Sequence, residues 1–326
     1  MLSLVGIAGG IALLIGGGAL LVRGASEIAT QHHISPIIVG LVIVGFGTSS
    51  PELVVNIIGA ATGAGELAFG NAVGSNIANL GLILGITACL VPITIQSSIV
   101  RRELPLLLLA TTMILVLALD GPIEGRPAII GRSDSVVLLL VFSIFIYISA
   151  LDMIRVQSKD PLLSEIALHT DVVAPSFVRY PWLMVLGGFV LLYLGGEVTI
   201  RNSVTFAESV GIPAAIVGLF VVSLGTSMPE LVTSIIAALR NESDLALGNV
   251  VGSNIFNSLV VLPVSGLIGK VNVPPGGIGD LVMSMMLAAI LIPIFFLGKG
   301  RLGRPVGALI LVAYLVYAVV RLTQTA

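Results

Sequence analysis

Apolar residues run along this chain in long blocks separated by short polar or Gly/Pro-containing breaks. A helix that crosses a bilayer needs about 20 mostly apolar residues. On that rule the pattern predicts ten spans, near residues 3–22, 34–62, 66–90, 99–119, 133–153, 181–200, 212–239, 244–268, 279–297 and 304–322. The second and seventh are longer than a straight crossing requires. Each contains a Gly-x-x-x-Pro segment, Gly47 to Pro51 and Gly225 to Pro229, and is expected to break near its proline, which lacks an N–H and crowds the carbonyl four residues back. The expected fold class is an all-α integral membrane protein with ten transmembrane helices.

The polar positions inside these blocks repeat. Gly47-Thr48-Ser49-Ser50-Pro51-Glu52 recurs as Gly225-Thr226-Ser227-Met228-Pro229-Glu230. Gly70-Asn71-Ala72-Val73-Gly74-Ser75-Asn76-Ile77-Ala78-Asn79 recurs as Gly248-Asn249-Val250-Val251-Gly252-Ser253-Asn254-Ile255-Phe256-Asn257, and the offset is 178 residues throughout. Gly17, Gly18, Arg23, Ile34 and Val39-Gly40-Leu41 align at the same offset with Gly195, Gly196, Arg201, Ile212 and Val217-Gly218-Leu219. The chain therefore divides into a first five-helix repeat over 1–153 (motif region 39–87), a polar linker over 154–180, and a second five-helix repeat over 181–326 (motif region 217–265). An odd number of spans per half forces the halves to insert with opposite orientations. Inverted repeats of this kind build secondary transporters, with sites at the repeat interface near the midplane.

Composition agrees with the pattern. The chain is 56% hydrophobic and 10% charged, against about 25% charged in soluble domains. No basic tract suits nucleic acid. One cysteine, Cys89, excludes an intramolecular disulfide and a Cys-based metal site, and reads as an inert buried thiol in an apolar run. Arg23 follows the first apolar block and no basic residue precedes it, so 3–22 reads as a retained span. Of the 15 Lys and Arg residues, ten fall on one side of the predicted spans and five on the other. That asymmetry puts both termini outside and the 154–180 linker in the cytoplasm.

Carboxylates at membrane depth mark function by default. Thr48 and Ser49, four and three residues before Glu52, are expected close to it on adjoining faces of one helix, next to carbonyls that Pro51 deprives of partners. Broken backbone survives in lipid only where it faces protein or lines a cavity. Asn71, Ser75 and Asn79, four apart, form one polar stripe, and Asn249, Ser253 and Asn257 repeat it. Gly70/Gly74 and Gly248/Gly252 are small-residue pairs that let another helix come close. The donor set is all oxygen, which hard cations such as Ca²⁺ and Na⁺ require, and two carboxylates balance one divalent ion. Glu66 and Asp244 start helices, complement the helix dipole and read as caps. An intramembrane protease would need two Asp residues, one in Gly-x-Gly-Asp, and no such sequence is present.

Gly-Thr-Ser-x-Pro-Glu followed by Gly-Asn-x-x-Gly-Ser-Asn-x-x-Asn, twice, resembles the α-repeats of the Ca²⁺/cation antiporter superfamily, and within it the prokaryotic sodium/calcium exchangers. The resemblance covers the whole chain. It implies a transporter, not an enzyme, that exchanges Na⁺ for Ca²⁺ by alternating access in a prokaryotic plasma or inner membrane. Transported Ca²⁺ and Na⁺ and the lipid bilayer would be its partners, with no cofactor, no nucleic acid and no obligate protein partner. It implies that Glu52 and Glu230 bind the cations and that Thr48, Ser49, Thr226 and Ser227 supply further oxygens. The backbone oxygens of Gly45 and Ser223 contribute, and Ser75, Asn79, Ser253 and Asn257 complete the set. Some sodium/calcium exchangers carry Asp at one of the last pair, and potassium-dependent relatives also use Asp in the second repeat. Both positions are Asn here, which argues against potassium co-transport. The Gly-Asn-x-x-Glu pattern of proton-coupled calcium antiporters does not replace the motif in this chain. A Ca²⁺/H⁺ or other divalent cation antiporter is the alternative. With only two ionisable groups at the site, exchange of more than two Na⁺ for each Ca²⁺ would be electrogenic.

Overall fold

In hydrocarbon every backbone N–H and C=O must find its partner within the protein, so apolar blocks of this length become helices. The structure, a computed structural model, describes residues 2–32, 34–97, 99–123, 125, 127–158, 180–209 and 223–325. The helices are α1 (Leu2–Gln31), α2 (Pro36–Thr48), α3 (Ser50–Ala61), α4 (Gly65–Leu90), α5 (Leu104–Ile123), α6 (Arg132–Ser158), α7 (Pro181–Ser209), α8 (Ser223–Thr226), α9 (Met228–Leu239), α10 (Ser243–Ile268), α11 (Gly277–Leu297) and α12 (Arg304–Thr325).

Among the described residues, eight helices are long and apolar enough to cross a membrane, and α2 with α3 forms a further span bent by 42°. The expected span over 212–239 is seen from Ser223 onward; its first part, with the aligned Val217-Gly218-Leu219, lies outside the described residues, as does most of the 154–180 linker. Two helices outrun their expected ends by nine residues. α1 continues past residue 22 to Gln31 and buries Ala25, Ile28 and Ala29, and α7 continues past residue 200 to Ser209. In both, helix-compatible polar residues prolong the helix beyond the apolar block that defined the span.

α1 and α7, which occupy equivalent places in the sequence repeat, pack along their lengths. Gly6 faces Asn202, Gly10 faces Thr199, Gly17 faces Leu191 and Gly24 faces Met184, so the two helices run antiparallel. α4 and α10 form the centre: the α10 span is 89% buried within the protein, whereas that of α12 is 11% buried and turns its apolar surface outward. Two short antiparallel strand pairs tie one half of the chain to the other. β1 (Ile93–Thr94) pairs with β4 (Arg301–Leu302), Ile93 opposite Leu302, and β2 (Ile129–Ile130) pairs with β3 (Val271–Asn272), Ile129 opposite Asn272.

α4 and α10 each widen into a π-turn, Asn79–Ile83 in one and Asn257–Val261 in the other. The widening starts at the same repeat position both times. Such turns concentrate at functional sites, and nothing in the residue pattern announces them. Glu66 and Asp244 lie in the first turns of α4 and α10, but the capping positions are Ala64 and Glu242 rather than these two; Asp244 accepts from Gln96. Cys89 is half-buried, its Sγ 3.8 Å from the Arg304 carbonyl.

Candidate functional site

Both motif helices break where the prolines predict. Ser49 (φ −85°, ψ 9°) separates α2 from α3, and Ser227 (φ −86°, ψ 6°) precedes α9. Each proline falls in the first turn of the following helix, where a missing N–H costs nothing. Glu52 and Glu230 are then also in first turns, at the helix ends whose dipole favours negative charge.

The break changes which groups meet. A continuous helix would set Thr48 and Ser49 beside Glu52 of the same half. Because the chain bends at Ser49, they point across to the other half instead. Ser49 Oγ donates to Glu230 Oε1 at 2.9 Å, and Ser227 Oγ donates to Glu52 Oε1 at 3.4 Å. Each motif serine thus serves the opposite half's glutamate. Thr48 Oγ1 lies 3.0 Å from Asn249 Oδ1 and 3.4 Å from Ser253 Oγ. Ser227 and Ser75 hydroxyls approach to 3.4 Å. The Gly45 carbonyl accepts from Ser253 Oγ at 3.1 Å and lies 3.2 Å from Thr48 Oγ1. This contact needs a glycine at 45, because a methyl there would stand 2.9 Å from the Ser253 amide nitrogen.

Glu52, Glu230, Ser49, Ser253, Asn79 and Asn257 are fully buried, and Thr48, Ser75, Thr226 and Ser227 nearly so. Glu52 Oε2, Glu230 Oε2 and the Oδ1 atoms of Asn79 and Asn257 have no hydrogen-bond partner among the described residues. A buried polar atom without a partner costs about 1–3 kcal/mol, and more if charged. Four such oxygens, two of them carboxylate, fit a site built to receive a cation as substrate. The set is mostly neutral: among the described residues no group of three or more His, Cys, Asp or Glu side chains could hold a metal. Ser223 begins the helical turn α8, two residues before Gly225 of the motif.

Several side chains that the motif spacing left without a role surround these residues. Asn71 Nδ2 donates to the Glu52 carbonyl at 3.4 Å and to Asn56 Oδ1 at 2.6 Å. Its counterpart Asn249 donates to the Glu230 carbonyl at 3.2 Å and to Ser234 Oγ at 2.9 Å. These amides hold the backbone at the two carboxylate residues. Asn56 and Ser234 are repeat-equivalent positions of different identity, so the repeat of identical residues does not mark them. Asn76 and Asn254 sit inside the motif itself, but off the stripe of four-residue spacing.

A multi-pass membrane protein with a buried pair of carboxylates at broken helices has the arrangement of a secondary transporter. More specifically, the chain belongs to the family described as sodium/calcium exchanger protein, whose pattern matches residues 2–151 and 180–323. It is 36% identical over 311 residues to a putative antiporter, CaxA, of Alkalimonas amylolytica, covering 94% of this chain and 95% of the relative. It is 29% identical over 337 residues to the sodium/calcium exchanger MaX1 of Methanosarcina acetivorans, covering 95% and 96%. Solved structures of the sodium-calcium exchanger NCX_Mj, one soaked with Na⁺ and Sr²⁺, superpose with a TM-score of 0.82 at 26% identity, covering 98% of both chains.

Proposed function

We propose that this protein exchanges Na⁺ for Ca²⁺ across a prokaryotic plasma or inner membrane by alternating access. Glu52 and Glu230 carry the charge that balances Ca²⁺. Thr48, Ser49, Thr226, Ser227, Ser75, Ser253, Asn79, Asn257 and the carbonyls of Gly45 and Ser223 supply neutral oxygens. The observation that carries this reading is the reciprocal pairing of Ser49 with Glu230 and Ser227 with Glu52. It makes one site out of two motifs, so that neither half can load alone. NCX_Mj, described as a sodium-calcium exchanger and soaked with Na⁺ together with Ca²⁺ or Sr²⁺, supports the choice of ions. Ion flux in proteoliposomes tests it. Na⁺-loaded vesicles take up external Ca²⁺ on this reading; uptake that follows an imposed pH gradient and ignores Na⁺ assigns the chain to proton-coupled exchange.

The halves are two inverted five-helix repeats, which the antiparallel course of the equivalent helices α1 and α7 supports. With both termini outside, the 154–180 linker faces the cytoplasm. A cysteine introduced into that linker is protected from impermeant thiol reagents added to intact cells and reacts after permeabilisation. Labelling from outside would reverse the orientation.

A further inference from the structure

Asn76 and Asn254 are equivalent across the repeat and both buried, yet their hydrogen bonds differ. Asn254 Nδ2 donates to the backbone carbonyl of Asn76 at 3.0 Å. A carbonyl oxygen can only accept, so that end of Asn254 is its NH₂ and the other end is its oxygen. Asn79 Nδ2 donates to this Asn254 Oδ1 at 2.9 Å. A backbone carbonyl therefore fixes the direction of two amides in series. It leaves Asn79 Oδ1 turned away from Asn254, buried and without a partner among the described residues.

The second copy lacks this chain. Asn76 Nδ2 is drawn instead to Ser258 Oγ at 2.9 Å, and the residue equivalent to Ser258 in the first half is Leu80, which has no hydroxyl. Neither polar atom of Asn257 has a partner among the described residues. The two repeats thus present one amide held in a single direction and one held in none.

We infer that Asn254 is a positioning residue for cation binding: it holds the Asn79 amide so that oxygen, not NH₂, meets the ion, while Asn257 adapts its direction to the ion that is bound. The inference rests on the proposed role of Asn79 as a cation ligand. An amide reversed beside a cation replaces an attractive dipole by a repulsive one. Losing a partner that orients a metal ligand typically costs about 10- to 100-fold in affinity.

The test is Ca²⁺ binding to the purified protein, read as the Ca²⁺ concentration that gives half the maximal rise in melting temperature. This readout does not depend on which ion drives transport, so a failure of Na⁺ coupling leaves it intact. Asn254→Ala is expected to raise the half-maximal Ca²⁺ concentration by about tenfold or more. In an Asn79→Asp background the same substitution leaves it unchanged or lowers it, because a carboxylate offers oxygen at both ends and needs no orienting. If Asn254→Ala does not fold, Asn254→Ser, too short to reach Asn79, gives the same pattern. An equal loss in both backgrounds would reduce Asn254 to packing and overturn the inference. No loss with Asn79 intact would do the same. A wild-type protein whose melting temperature ignores Ca²⁺ overturns both this inference and the proposed site.

Discussion

Glu52→Gln and Glu230→Gln each abolish Ca²⁺ uptake while the protein still inserts. Glutamine keeps the side-chain oxygen that accepts from Ser227 or Ser49, so shape and hydrogen bonding survive and only the charge is lost. A divalent ion then enters a buried site with one balancing charge instead of two. An uncompensated buried charge costs several kcal/mol. At about 1.4 kcal/mol for each factor of ten, uptake falls by more than about 100-fold. Filtration uptake of radiolabelled Ca²⁺ on matched amounts of purified variant measures it. Near-normal uptake by both variants would remove the carboxylates from the site.

Gly252→Ala produces the second large loss, through the backbone. A methyl at 252 would stand 2.2 Å from the Leu41 carbonyl oxygen and 2.7 Å from Leu41 Cα. Neither atom can rotate out of the way, so α2 and α10 must separate. Overpacking a tight core costs about 1–3 kcal/mol. Here the displacement also falls on the neighbouring residue, Ser253, whose hydroxyl meets the Gly45 carbonyl at 3.1 Å. The expected result is a lower melting temperature together with a loss of Ca²⁺ uptake of at least about tenfold, a loss of transition-state or ground-state binding worth about 1.4 kcal/mol. Gly16→Ala is the control: a methyl there meets no atom within 4 Å, and alanine suits a helix better than glycine by about 1 kcal/mol. A Gly252→Ala protein with normal melting and normal uptake would contradict the packing account.

Much of this architecture was legible in the residues, because two independent signals agreed. Apolar block length marked the eight spans and the bent pair seen among the described residues, and the constant offset between Gly47–Glu52 and Gly225–Glu230 marked the two motifs that meet at one place. The prolines at 51 and 229 marked the breaks correctly. What the spacing could not supply was the partner of each side chain. Helical neighbours are read three and four residues apart, and that rule ends where the helix ends, at Ser49. The serines consequently join the opposite half's glutamate, a contact that exists only once the halves are assembled. The π-turns at Asn79 and Asn257 escaped because they have no residue signature. Asn254 was hidden in plain view inside the motif, since its importance lies in the direction of a hydrogen bond rather than in its spacing.

With two carboxylates and no other ionisable side chain among the proposed ligands, a Ca²⁺-loaded site is neutral and a site holding more than two Na⁺ is positive. On the proposed exchange of more than two Na⁺ for each Ca²⁺, the Na⁺ step carries charge, and one charge moved through 100 mV is worth about 2.3 kcal/mol. The decisive measurement is Ca²⁺ uptake into Na⁺-loaded proteoliposomes with the membrane potential clamped at zero or inside-positive. Uptake that requires internal Na⁺ and quickens at the inside-positive potential, which helps Na⁺ leave, is the predicted result. Uptake that proceeds without Na⁺, or that needs Na⁺ but is indifferent to the potential, would contradict it.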